Sequence, residues 1–101
     1  SSGPNGKRAG LDPSVIPWLR QRDIAVLSTD IPQSVNPNHG PFRAAHDFPL
    51  VILGVTLIDN ADLEAAAEMA AAKHRWEFLL TVAPLPIRGG TGSPVNPIAT
   101  F

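Results

Sequence analysis

Apolar residues in this chain fall into short runs separated by charged or turn-forming residues. The segments 24–28 (IAVLS) and 55–59 (VTLID) are apolar, of strand length and bounded by polar positions, which predicts two buried strands. Segment 76–82 (WEFLLTV) alternates weakly between apolar and polar residues and predicts a third strand. Segment 95–101 predicts an edge strand, because Pro97 within it cannot donate a ladder hydrogen bond in a central position.

The strongest helix signal covers residues 63–74. Asp62 is placed to cap this helix, and the run EAAAEMAAAK consists of good helix formers. Small residues at helical spacing predict a narrow face that packs closely against a sheet. That face comprises Leu63, Ala66, Ala67 and Ala70.

A second helix signal begins at Asp12, a favourable N-cap residue followed by a proline. Pro17 conflicts with one regular helix over residues 11–23, because it lacks the N–H that would bond to the preceding turn. Either a kinked helix or a turn followed by a short helix over 16–22 resolves the conflict. Its core-facing residues are predicted to be Ile16, Leu19 and Val15.

A third, short helix is predicted over residues 47–53, with Asp47 as its cap and Gly54 after its last turn. Strands and helices then alternate from residue 24 to 82, which is typical of the α/β class. We expect a small mixed sheet with two to three helices in one domain over residues 11–101. The glycine-rich segment 1–10 is predicted to be a flexible lead-in.

Composition narrows the function classes. The chain has 101 residues, a net charge of −1 and no basic run, so nothing indicates a nucleic-acid partner. No apolar run reaches the ~18 residues that a membrane helix requires, and no cysteine is present for disulfides or thiolate metal sites. These observations predict a soluble, cytoplasmic protein without a membrane partner.

His46 and Asp59 are the strongest candidates for catalytic or metal-binding residues, since imidazole and carboxylate ligands suit Zn²⁺ or Mn²⁺. The alternative for His46 is a helix-boundary histidine bonded to backbone, and the alternative for Asp59 is a helix cap. His39 lies in a proline-rich loop that either borders a site or lies on the surface. Asp30 follows a strand and either points into a crevice at the sheet edge or forms a turn.

Residues 89–92 (GGTG) only superficially look like a phosphate-binding loop. No lysine follows them and they do not precede a helix, so a tight turn with close backbone approach is the better interpretation.

Three segments in this order, LDPSVIPWLRQRDIAVLSTD, AAHDFPLVILGVTLIDNADLE and RWEFLLTVAPLPIRGGTGSPVNPIATF, resemble the C-terminal half of the metal-dependent cyclase/hydrolase family. That family includes bacterial kynurenine formamidase and isatin hydrolase. The resemblance implies a swivelling β/β/α fold, a divalent metal (zinc or manganese), and hydrolysis of an amide, lactam or related bond in a small-molecule substrate by metal-activated water.

Residue by residue, the resemblance implies that His46 matches a histidine of the metal centre that acts in proton transfer or ligation. Asp59 matches a position where many members have a metal-binding glutamate, and its shorter side chain reaches less far. The family's N-terminal H-x-G-T-H-x-D-x-P-x-H segment, which provides most metal ligands, has no counterpart in this sequence. The chain therefore looks like part of an enzyme: a truncated product, a cleavage fragment or one subunit.

Two functions follow. One is the C-terminal part of a metal-dependent hydrolase, which is active only when a second chain supplies the missing half and is inactive alone. The other is a non-catalytic structural or binding module that assembles with itself and holds no metal in isolation. Self-association is expected in the second case because half a sheet leaves strand edges and apolar surface exposed.

Overall fold

The computed structural model describes residues 11–32 and 48–101. The chain forms two compact units, with the boundary between Ala61 and Asp62. The described elements in chain order are a 3₁₀ turn (Pro13–Val15), α1 (Ile16–Gln21), β1 (Val26–Ser28), a π-helical turn (Phe48–Ile52), β2 (Thr56–Ile58), α2 (Glu64–Lys73), β3 (Leu79–Thr81) and β4 (Ile98–Thr100). In this part of the chain no helix has the length and apolar character needed to cross a membrane.

The start of the first unit resolves the conflict at Pro17. The Asp12 carboxylate accepts a hydrogen bond from the Ser14 N–H (2.9 Å), and the Asp12 carbonyl accepts one from the Val15 N–H (3.0 Å). A 3₁₀ turn therefore forms first, and α1 starts after it with Pro17 in its first turn, where no N–H is needed. This is the second of the two predicted solutions. Leu19 is buried in α1, as predicted.

The helices α1 and α2 end with the same arrangement of hydrogen bonds, called a Schellman motif. After α1, the Asp23 N–H donates to the Arg20 carbonyl (3.2 Å) and the Ile24 N–H donates to the Leu19 carbonyl (3.3 Å). Asp23 itself has φ of 54°, the left-handed conformation that glycine usually provides at this position.

In the second unit α2 ends in the same way at His74, which has φ of 48°. The His74 N–H donates to the Ala71 carbonyl (3.2 Å), and the Arg75 N–H donates to the Ala70 carbonyl (3.0 Å). The motif satisfies carbonyls that a helix end otherwise leaves without partners.

The predicted helix over residues 63–74 is confirmed as α2. The Asp62 carboxylate accepts a hydrogen bond from the Glu64 N–H (3.2 Å), so Asp62 caps the helix as expected. The predicted packing face is narrower than expected, because Ala70 is buried and Ala66 half-buried while Leu63 is 40% exposed. Only positions four residues apart, which lie directly above one another on a helix, share the covered face.

The first sheet is a parallel pair, β1 with β2, in which Val26 lies opposite Thr56 and Ser28 opposite Ile58. The π-helical turn precedes β2, and Gly54 between them has φ of 68°, as expected for the residue that ends the predicted short helix. Asp47, its predicted cap, lies outside the described residues.

The second sheet is an antiparallel pair, β3 with β4, in which Leu80 lies opposite Ala99. The rings of Phe78 and Phe101 extend the pairing beyond the strands, with centroids 5.1 Å apart and planes tilted by 46°. β4 begins after Pro97, so the proline precedes the strand instead of lying inside it.

The α/β class is confirmed, and over the described residues the strands are divided between two small sheets. Burial of β1 is lower than predicted, because Val26 is 37% exposed, whereas Ile58 in β2 is buried as predicted. All three residues of β3, for which burial was not predicted, are exposed. An apolar strand sequence favours burial, but burial also requires other residues to pack over the strand, and the strand sequence does not determine those residues. The expectation of a single domain over residues 11–101 stays a prediction.

Candidate functional site

The carboxyl ends of β1 and β2 meet at one edge of the parallel sheet. Because the two strands run in the same direction with Ser28 opposite Ile58, the residues that follow each strand lie at the same edge. Asp30 follows β1 and is exposed, and Asp59 follows β2 and is half-buried. The edge therefore gathers two of the predicted site residues. In α/β proteins this is where ligands commonly bind.

Backbone hydrogen bonds continue past the ends of the strands and fix the chain on both sides of Asp59. The Thr29 N–H donates to the Ile58 carbonyl (3.1 Å), directly before Asp59. The Ala61 N–H donates to the Thr29 carbonyl (2.9 Å), two residues after it. Asp59 is therefore held between two anchored residues instead of lying in a free loop.

Asn60, the next residue, has φ of 56°. Asparagine tolerates this left-handed conformation better than most residues, because its short side chain can bond locally. The Asn60 N–H points to the Ile31 carbonyl at 3.5 Å. The chain bends at Asn60, and the hydrogen bonds of Asn60 and Ala61 keep this bend next to residues 29–31.

The segment opposite Asp59 is also ordered by a side chain. The Thr29 hydroxyl donates to the Ile31 carbonyl (2.6 Å), which closes residues 29–31 into a turn, called here the edge turn. The Ile31 carbonyl thus receives both the Thr29 hydroxyl and the Asn60 N–H. Asp30 lies at the middle of this turn, which agrees with the turn-forming alternative for that residue.

The edge does not make a complete metal centre from the described residues. Carboxylate oxygens are suitable ligands for Mn²⁺ or Zn²⁺. Over residues 11–32 and 48–101, however, no group of three histidine, aspartate or glutamate side chains lies close enough together to hold an ion. Within the described residues Asp30 and Asp59 are not part of such a group, and their role in a metal site stays a prediction.

The two histidine candidates, His39 and His46, lie outside the described residues, and their assignments stay predictions. His74 is exposed at the end of α2, which agrees with its interpretation as a surface residue.

The loop with the sequence GGTG is a tight turn. The Gly90 N–H donates to the Ile87 carbonyl (3.0 Å), and Gly89 has φ of 73°, the combination found in a type II turn. A Cβ on Gly90 would lie 3.2 Å from the Ile87 side chain, so the backbone approach is close. The Ser93 hydroxyl accepts the Leu85 N–H (3.0 Å) and donates to the Pro94 carbonyl (3.1 Å), which ties the loop together.

Thr29 is the residue at this edge that the sequence interpretation passed over. Its signal was present: a hydroxyl residue directly after an apolar strand and before an aspartate favours a side-chain-closed turn. The pattern indicates the turn but not its partner, because the contact with β2 depends on strand pairing between distant parts of the chain.

The chain is similar to a solved structure described as a novel cyclase. The two share 31% of their residues with a TM-score of 0.68, and the match covers 91% of this chain and 30% of that chain. A scan against models of protein families gives no match, and neither does a comparison with curated proteins. This chain therefore has a cyclase-like fold and spans less than a third of the length of the cyclase that it matches.

Proposed function

We propose that the chain is the C-terminal part of a metal-dependent hydrolase of the cyclase family, acting on amide, lactam or related bonds. The observation that carries this proposal is the similarity to the cyclase structure over 91% of the chain. Within that fold, Asp59 lies at the carboxyl end of a parallel strand pair and is anchored on both sides. This is a suitable position for a residue that contributes to a site.

The proposed roles follow from the chemistry of the side chains. A divalent metal, when bound, would polarise the substrate carbonyl and activate water near neutral pH. Asp59 would be a ligand or would orient His46, and His46 would transfer a proton or act as a ligand. Asp30 and His39 are further candidates at the border of the site.

The remaining metal ligands are proposed to come from a segment with the family's histidine-rich motif, which is absent from this sequence. Such a segment would be supplied by a second chain or by further sequence of a longer protein. The described part of this chain contributes two carboxylates at one edge, which agrees with a supporting role in a shared site.

The alternative is a non-catalytic module that assembles with itself. Exposed apolar side chains on the second sheet favour it, since Leu79 is 68% and Ile98 54% exposed. Surface of this kind is usually covered by another polypeptide. Pairing of identical strand edges would be the simplest way to cover it.

Native mass spectrometry of the protein isolated from its own cells distinguishes the two functions. A complex with a different chain or a longer product, carrying zinc or manganese and hydrolysing amides or lactams, is the expected result. The variant Asp59→Ala should then lose most of that activity, whereas Asp62→Ala, which removes a helix cap, should not. Multiples of the 10.7 kDa chain alone, free of metal, would establish the self-assembling module instead.

A further inference from the structure

We infer that Thr29 is a positioning residue: its hydroxyl fixes the edge turn, and the edge turn holds the backbone of the Asp59–Asn60 segment in place. The role in catalysis rests on the proposed function, whereas the coupling between Thr29 and the Asp59–Asn60 segment does not. The inference concerns only the first unit and uses only contacts within it.

Thr29 forms hydrogen bonds through three different groups, two of them to the Asp59 segment and one within the edge turn. Its N–H binds the carbonyl before Asp59, its carbonyl binds the Ala61 N–H, and its hydroxyl binds the Ile31 carbonyl. The hydroxyl bond is the shortest of these, at 2.6 Å, and it is partly buried. Shielding from water makes such a bond more costly to lose than one on an open surface.

The hydroxyl acts on Asn60 through a shared acceptor. The Ile31 carbonyl accepts from the Thr29 hydroxyl and faces the Asn60 N–H at 3.5 Å. When the hydroxyl holds this carbonyl in place, Asn60 keeps an acceptor for its N–H in the left-handed conformation. Without the hydroxyl the carbonyl is free to rotate toward water, and the reversal after Asp59 loses one of its two anchors.

The side chain at position 29 can be varied with little change in shape. Thr29→Val keeps the branched outline and removes the hydroxyl, while Thr29→Ser keeps the hydroxyl and removes a methyl group. Thr56→Val is the matched control, because Thr56 lies at the opposite end of β2 and its side chain is exposed. Thr29→Ala serves as a second hydroxyl-free variant should the valine prevent folding.

The test is amide hydrogen exchange by NMR on the 101-residue protein. In Thr29→Val we expect the Asn60 and Ala61 amides to exchange about five- to tenfold faster than in the original protein, the size expected for one lost hydrogen bond. Thr29→Ser and Thr56→Val should remain within about twofold of the original protein. Equal rates in Thr29→Val and the original protein, or equal acceleration in Thr29→Ser, would overturn the inference.

A second measurement separates this inference from the proposed function. In the metal-loaded complex, Thr29→Val should weaken Mn²⁺ binding about tenfold, a typical effect of removing an outer-shell partner, and Thr29→Ser should restore it. Accelerated exchange together with no Mn²⁺ binding in any form of the protein would retain the positioning role and reject the metal-dependent function. Mn²⁺ binding with unchanged exchange would retain the function and reject the positioning role.

Discussion

The two strand pairs in the described part of the chain have equal length, but different contacts extend them beyond the paired residues. In the parallel pair, hydrogen bonds continue beyond Ser28 and Ile58 into the edge turn, and Ile58 is buried. In the antiparallel pair, Phe78 and Phe101 pack against each other, yet Leu79 and Ile98 remain exposed. Three paired residues do not define a stable sheet by themselves. What surrounds the pairs therefore decides how much each contributes to the fold.

The difference between the two strand pairs indicates which of them is the better location for a functional site. At the carboxyl edge of the parallel pair, hydrogen bonds between residues of the described chain hold the polar residues in place. The antiparallel pair presents apolar side chains whose stabilisation requires a covering layer. Variants that act on one pair and spare the other can test this contrast.

The largest effect should come from removing buried apolar volume. Ile58→Ala is expected to lower the free energy of unfolding by about 2–4 kcal/mol, because Ile58 is only 7% exposed. The matching change Leu79→Ala removes a side chain that is 68% exposed and should cost no more than about 0.5 kcal/mol. Urea denaturation monitored by circular dichroism measures both. Equal losses would show that the antiparallel pair is covered after all.

Replacing a left-handed glycine with alanine should strain the backbone by the same amount in the two units. Gly54 and Gly89 both have left-handed φ angles, and a Cβ on either would meet no atom within 4 Å. Alanine at either position should therefore cost about 1–2 kcal/mol from conformation alone. Gly92→Ala is the control, since Gly92 has the same open space without the left-handed φ. Unequal costs, measured by thermal denaturation, would indicate that one loop relaxes and the other does not.

Glycine in place of the left-handed residue that follows α1 or α2 should stabilise the protein. Asp23→Gly and His74→Gly remove a Cβ from a left-handed position, and each is expected to add about 0.5–1 kcal/mol to the free energy of unfolding. Alanine at the same positions keeps the Cβ and should give no gain. A loss of stability in His74→Gly, seen as a lower Tm, would mean that the imidazole makes a larger contribution than its exposed position suggests.

The smallest effect is expected at Ser93. Ser93→Ala removes the acceptor of the Leu85 N–H in an exposed loop, so we expect a loss of about 0.5 kcal/mol and faster exchange of that amide. Thr91→Ala in the same loop should leave the exchange of Leu85 unchanged. Exchange at Thr56 and Leu57, in the parallel pair, should not respond to either variant.

Local chemistry made some elements predictable from sequence. Asp62 and Asp12 cap the segments that follow them because capping involves only neighbouring residues, and Pro17 fixed where α1 begins for the same reason. Gly89 likewise requires a turn that glycine alone adopts without strain. These positions depend on a few adjacent residues and on nothing else in the chain.

Properties that depend on distant partners were less predictable. The strand predicted over residues 76–82 is shorter in the structure, where it is β3, because only residues opposite β4 can form ladder hydrogen bonds. The sequence placed Asp30 and Asp59 after predicted strands, but their position at one edge and the contacts of Thr29 depend on the parallel register between β1 and β2. Burial of β1 was overestimated, because burial depends on a covering layer and the apolar pattern of a strand does not specify that layer.

The pairing of Val26 with Thr56 also has a consequence during synthesis on the ribosome. β1 cannot acquire its partner until the chain through Ile58 has been made and released from the exit tunnel. At a typical translation rate, the intervening segment takes on the order of seconds to produce. During that interval β1 lacks its pairing with β2 and is more open to chaperones and to wrong partners. The hydrogen bonds that later hold Asp59 are thus among the last that the first unit can form.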